Sequence, residues 1–261
     1  LLTGFNDPRT KDAMRESITS PNDRLRTVAY SFFEHNPDKA MVAELLKALA
    51  KEQAEFVRPA LVRALAANAS DQVVQKTLVG EVSRGEDFFR SAVIEALGDY
   101  RAGYAYDAIT TVAKLDGPLQ DDAAIALGKI GDKRALETLS ALQSTAPRPR
   151  QPSLATGICL LDVNCASHEG YLVETLKFAD QNPGYQELLR GAANGLGALA
   201  INGHESAAQA LLTIGIPWRD PTGAPVALAL GATALRNTAL TLKILETHAD
   251  RAKAIALIGE G

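Results

Sequence analysis

Three sets of residues have types and spacings suited to chemistry. Residues 124–136 read A-I-A-L-G-K-I-G-D-K-R-A-L, with Gly128 and Gly131 three apart, Lys129 between them and Asp132 just after. Such a loop cradles phosphate where a strand leads into the glycines and a helix opens after them. The pairs His168-Glu169 and His204-Glu205, 36 residues apart, offer imidazole and carboxylate to a metal ion. Asp23, Glu55 and Asp87 each stand three residues before an arginine (Arg26, Arg58 and Arg90), a row of charge that a partner could read. Serine, histidine and acids all occur, but no nucleophile elbow or common spacing unites them into a hydrolytic triad.

The elements that must position these residues follow from composition and period. The chain has 261 residues, 46% of them hydrophobic, which is ample for a core. Only 5% are aromatic while alanine and leucine abound, so helices are favoured over sheets. A formal net charge of -4 gives no general attraction to nucleic acid or anionic membranes. No apolar run reaches the roughly 18 residues of a membrane-spanning helix. Cys159 and Cys165 make no disulfide framework and match no zinc spacing. They fit a reducing compartment, so a cytoplasmic location is expected, with the periplasm left open. The chain opens on Leu1 rather than Met and ends on the apolar stretch 254–258, where a solenoid would place a polar cap. Sequence is therefore expected beyond one or both ends.

The chain repeats with a period near 32. Leu25-Arg26, Val57-Arg58 and Phe89-Arg90 are each 32 residues apart, and each leads into a helical run. Ala126-Leu127-Gly128 follows Ala96-Leu97-Gly98 by 30 residues, and looser copies begin at Ser153, Ala192 and Pro225. This periodicity places Gly128 and Gly131 at the end of a helix, where glycine caps well, with Gly98 and Gly231 in the position of Gly128. The phosphate reading then fails, since the glycines close a helix instead of opening one. Companion helices are predicted over 38–49, 71–82, 104–115, 132–142, 169–178 and 205–212. Helix pairs of this kind bury their apolar faces only by stacking. The expected fold is all-α: a solenoid of about seven stacked helix pairs in a single domain over 1–261, strong over 7–143 and weaker over 153–261. A Pro-rich linker is expected at 144–152.

The pattern hydrophobic-Arg-x-Ala-x-x-x-Ala-Leu-Gly followed by Ile-Gly-Asp-x-x-Ala resembles HEAT repeats, most closely the short variety named after phycobilisome lyases. The resemblance is strong over 23–142 and looser over 153–231. It implies that the arginine-bearing helix of each pair lines a concave, partner-binding surface. His204-Glu205-Ser206-Ala207 is locally similar to the His-Glu motif of the HEAT-like deoxyhypusine hydroxylases, which hold two irons. Two pairs supply too few ligands for that, and both sit at helix starts, so no metal and no cofactor are expected. A phycobilin-lyase-like activity has no catalytic signature here.

One and five residues after each arginine, or after the glutamine at its place in later copies, the chemistry varies along the stack: Thr27, Pro59, Ser91, Asp121 and Pro152, then Ser31, Arg63, Glu95, Ile125 and Thr156. With Asp87 and Asp99 these positions form the expected partner site, Pro59, Arg63, Asp87, Ser91, Glu95, Asp99 and Asp121, with an acidic centre at Asp87, Glu95, Asp99 and Asp121. Trp218 and Arg219 in the long turn 214–225 make a candidate interface loop. Only Glu205, Arg219 and Asp220 carry formal charge between 191 and 235, which raises self-association or docking at that end. The reading is a non-catalytic scaffold for a protein or peptide partner. The alternatives are a HEAT-like enzyme, phycobilin-lyase-like or a metal-dependent hydroxylase, and a spacer segment of a larger protein.

Overall fold

A computed structural model describes residues 7–261; the opening residues Leu1 to Gly4, noted above for their lack of Met, lie outside them. The described residues form sixteen α-helices and no strand. In order they are α1 (Pro8–Ser17), α2 (Asp23–His35), α3 (Val42–Leu49), α4 (Arg58–Ala67), α5 (Gln72–Glu81), α6 (Asp87–Asp99), α7 (Tyr106–Lys114) and α8 (Gln120–Ile130). Then come α9 (Ala135–Thr145), α10 (Gln151–Leu160), α11 (Cys165–Gln181), α12 (Gln186–Ile201), α13 (Glu205–Gly215), α14 (Gly223–Arg236), α15 (Thr238–Thr247) and α16 (Arg251–Gly259). Helices α2 to α15 make the seven pairs that the period predicts, a HEAT-like solenoid. The chain divides into two compact units, Leu1–Ala126 and Leu127–Gly261.

In the first unit α2, α4 and α6 stack in sequence, with α3 and α5 packed beside them. The helices form because their apolar residues recur on one face, and α2 and α5 are also capped at their starts by side chains. In α3, Val42, Leu45 and Leu49 are buried at helical spacing. Asn22 accepts a hydrogen bond from the Leu25 amide, and Asp71 accepts from the amides of Val73 and Val74. Fully buried Phe33, Leu61, Leu65, Phe89 and Leu97 fill the centre, each contributing about 1.5–3 kcal/mol of burial.

The 32-residue arginine beat has a structural cause. Arg26 grips Glu52 with two bonds of 2.7 Å, and Asp23 at 2.8 Å. That pairing holds the Glu52 carboxyl below its ordinary range. Arg58 lies 3.6 Å above the Phe89 ring and 3.8 Å from Glu81, while Arg90 donates to the Val82 carbonyl and to Asp87. Arg26 and Arg58 thus tie α2 and α4 to the ends of the companions that follow them, α3 and α5, while Arg90 ties α6 back to the end of α5. Asp23 and Asp87 serve this ladder within their own turns.

In the second unit α10, α12, α14 and α16 stack in sequence, and α11, α13 and α15 pack beside them. Every residue from Pro152 to Cys159 of α10 is buried, and α12 buries ten of its sixteen. The scarcity of charge over 191–235 therefore matches a helix shielded on most sides, although Leu228 and Leu235 remain exposed on α14.

Several local expectations change. Gly131 ends α8 in left-handed geometry with φ +79°, as a cap should. Gly128 lies inside α8: a Cβ there would stand 2.5 Å from the Gly157 carbonyl oxygen, so glycine is needed for close helix approach. The expected linker is short and ordered, since Thr145 ends α9, residues 148–150 form a 3-10 turn, and buried Pro152 belongs to α10. Helix α11 starts four residues before Glu169, so His168 lies within its first turn.

Candidate functional site

The first unit brings two rows of side chains side by side. Asp87, Ser91, Glu95 and Asp99 follow one another at intervals of four along α6, and therefore form one stripe. Pro59 and Arg63 have the same spacing on α4. Arg63 joins the rows: its Nη1 donates to Asp99 Oδ2 at 2.8 Å and its Nε to Glu34 Oε1 of α2 at 2.7 Å. Tyr100 also donates to Glu34 Oε1, at 3.1 Å. Burial opposes the Arg63 charge, but Asp99 and Glu34 outweigh it and raise its pKa further.

Two of the expected acids are thus committed within the fold: Asp99 to Arg63, and Asp87 to Arg90 at 3.0 Å. Glu95 and Asp87 are exposed and Ser91 is half-buried. Asp121 stands half-buried in the first turn of α8. The variable columns lose access to solvent farther along, since Ile125, Pro152 and Thr156 are buried. Glu34, which the repeat pattern did not single out, proves central to the Arg63 cluster.

In the second unit the Trp218 ring lies over Gly223, where an added Cβ would meet ring carbons at 2.6 Å, yet the residue is 48% exposed. Arg219 pairs with Asp180 of α11, which also accepts from Thr222 at 2.7 Å. Burial pushes the Asp180 carboxyl up, but the bonds from Thr222 and Arg219 prevail and hold it below its ordinary range. The candidate loop is therefore tied down just after its tryptophan. Nearby in sequence, α11 and α12 border an open cleft of about 520 Å³ walled by Tyr171, Phe178 and Leu188, with Arg148 and Glu174 on its lining.

The same unit gathers sulfur, imidazole and carboxylate. Helix α10 ends just after Cys159, and the turn at 161–164 holds Asp162 and Asn164 at φ +60° and +45°. Aspartate and asparagine enter this region more readily than other side chains. Lys133 donates to the Leu161 carbonyl and anchors the turn. The reversal brings Cys165 back to Cys159, with Cα atoms 4.0 Å apart, and the two form a disulfide. No disulfide framework is expected from two cysteines, and what forms is one local bridge across the tight left-handed turn.

Glu169 lies one helical turn beyond Cys165, on the same face of α11. From the start of α13, His204 places Nδ1 3.2 Å from Glu169 Oε2 and 3.8 Å from Cys165 Sγ. One member of each His-Glu pair thus meets one of the other. Glu205 instead pairs with Lys243 at 2.5 Å. No helix among the described residues is long and apolar enough to cross a membrane.

No family model matches the chain, and no curated protein matches it. An engineered protein aligns at TM-score 0.36 and 17% identity over 96% of this chain and 78% of its own. A solved structure that is similar is the complex of CpcE and CpcF of phycocyanin lyase from Nostoc sp. PCC7120, one chain of which aligns at TM-score 0.57 and 19% identity. The alignment covers 98% of this chain and 96% of that one. The expectation that the chain is not an enzyme is corrected by this finding. The same helical architecture, over nearly the whole of both chains, occurs in a lyase, so a missing motif-level signature does not set this chain apart from enzymes. What the likeness establishes is the fold: an all-helical HEAT-like solenoid of the kind seen in phycocyanin lyase.

Proposed function

We propose that this chain is a partner-binding HEAT-like protein of the lyase-related kind, engaging a basic or polar protein segment along α4 and α6. The observation that carries the reading is the α6 stripe of Asp87, Ser91, Glu95 and Asp99, set beside Pro59 and Arg63 by the Arg63–Asp99 bond. Around it four carboxylates, of Glu34, Asp87, Glu95 and Asp99, face two guanidiniums, of Arg63 and Arg90. The exposed residues Asp87 and Glu95 present carboxylates along the stripe. Stacked helices hold such a stripe rigid, so little ordering is required on binding. The chain it resembles belongs to a complex of two proteins, which agrees with work done in company. Capture from the source organism with wild-type and Glu95→Lys baits tests the reading: a partner held by the first and lost by the second supports it. Equal retention by both defeats it.

A second reading, favoured by the cleft of about 520 Å³ on α11 and α12, is lyase-type work on a conjugated pigment. Its size lies within the range of small-molecule sites. The Tyr171 and Phe178 rings offer flat apolar contact, and Arg148 offers a cation for a ligand carboxylate. Absorption spectra of a linear tetrapyrrole titrated with wild-type and Phe178→Ala chains test it. A spectral change with the first that is lost with the second is the expected result.

A further inference from the structure

The geometry points to a zinc site on Cys159, Cys165 and His204 when the two cysteines are reduced, with Glu169, which touches His204, turning in as the fourth ligand. One ligand atom each from Cys159, Cys165 and His204 lies within 4.8 Å of the other two, and Glu169 Oε2, outside that group, lies beside His204. In a tetrahedral zinc centre, bonds of about 2.3 Å to sulfur and 2.0–2.1 Å to nitrogen or oxygen put neighbouring ligand atoms about 3.3–3.8 Å apart. The observed 3.8 Å from Cys165 Sγ to His204 Nδ1 and 3.2 Å from His204 Nδ1 to Glu169 Oε2 match those edges. Two thiolates, one imidazole and one carboxylate suit a borderline-soft divalent cation and not calcium or magnesium.

The fold holds these groups in place for reasons independent of any metal. Cys159 is wholly buried at the end of α10, and the left-handed residues Asp162 and Asn164 return the chain to Cys165. Glu169 is fixed by its helical spacing from Cys165, and His204 arrives from the next helix pair as the residue before α13. Cys165 is half-buried, and the His204 and Glu169 side chains keep 27% and 14% of their surface open, so an ion has a route in.

In the structure the sulfurs are bonded to each other, and in that form they are not thiolate ligands. Two equivalents of a low-molecular-weight thiol reduce the disulfide to two cysteine thiols and leave as their own disulfide. Zinc binding then releases the two thiol protons and forms two zinc–sulfur bonds. His204 Nδ1 and Glu169 Oε2 exchange their mutual contact for the metal. Oxidation and zinc binding are therefore mutually exclusive states of one site.

The test uses the full chain, with a phosphine reductant that does not compete for the metal, and Zn²⁺ alone as the probe. Reduced wild type should take up one zinc per chain, and oxidised wild type none. Reduced Cys165→Ser and His204→Ala, at positions with solvent access, should each bind at least tenfold more weakly while keeping wild-type helicity. Glu169→Gln should weaken binding without removing the thiolate-to-metal charge-transfer band of the cobalt-substituted protein. The proposal is overturned if reduced wild type binds no zinc. It is equally overturned if the oxidised chain, or a folded Cys165→Ser or His204→Ala variant, binds as tightly as reduced wild type.

Discussion

Arg63 of α4 and Asp99 of α6 meet at 2.8 Å, with Glu34 of α2 bonded to the same guanidinium at 2.7 Å. Three stacked helices are thus fastened by one cation, whose side chain keeps 21% of its surface open while the two acids keep 12% and 11%. Removing Arg63 takes from both acids the cation that they share. Arg63→Ala should therefore lose about 3–5 kcal/mol in denaturant unfolding. A loss under about 1 kcal/mol, the range of exposed pairs, would show that solvent already screens the cluster.

Asp180 gives a pH signature in the second unit. Its folded pKa lies below the ordinary carboxylate value, so its contribution is complete above that value and is lost as pH falls through the folded one. Asp180→Asn should lower Tm at neutral pH, and the gap from wild type should close in acid. A gap that stays constant across the titration would mean that the bonds from Arg219 and Thr222 do not favour the charged form.

Gly128 tests close helix packing against helix capping. A Cβ at this position would stand 2.5 Å from the oxygen and 2.7 Å from the Cα of Gly157, both backbone atoms that cannot swing aside. Gly128→Ala should cost about 1–3 kcal/mol, as overpacking does. Wild-type stability in that variant would show that α8 and α10 separate freely.

Trp218 reports on its own loop, because the chain has no other tryptophan. Gly223→Ala should push the indole off α14, shift its emission to the red and raise its quenching by a neutral quencher. An unchanged spectrum would contradict the stacking of Trp218 on Gly223.

The repeat was legible because its cause is periodic. Arg26, Arg58 and Arg90 each fasten their helix to a neighbouring segment, though through different partners, so a periodic sequence marks a recurring place of contact. The α6 stripe was legible for the same reason, since residues four apart share a helix face. Glu34 was not, because its role depends on Arg63 reaching back from the next pair. The sulfur–imidazole cluster was hidden by distance along the chain. His204 comes 39 residues after Cys165, so no local spacing announced it. What local signal existed lay in Asp162 and Asn164, two residues that tolerate left-handed geometry and that turn the chain back on itself. Gly128 was misread as a cap because glycine serves both helix ends and tight helix contacts, and the sequence alone does not separate the two.

The most direct test of partner binding along α6 is photo-crosslinking in the source organism. A photoactivatable residue replaces Ser91 on the stripe in one variant, and exposed Gln209 on α13 in another. A single dominant protein adduct is expected from position 91, abolished by adding Glu95→Lys, and none of that adduct from position 209. Adducts of equal yield at both positions, or an adduct at 91 that is indifferent to Glu95→Lys, would contradict it.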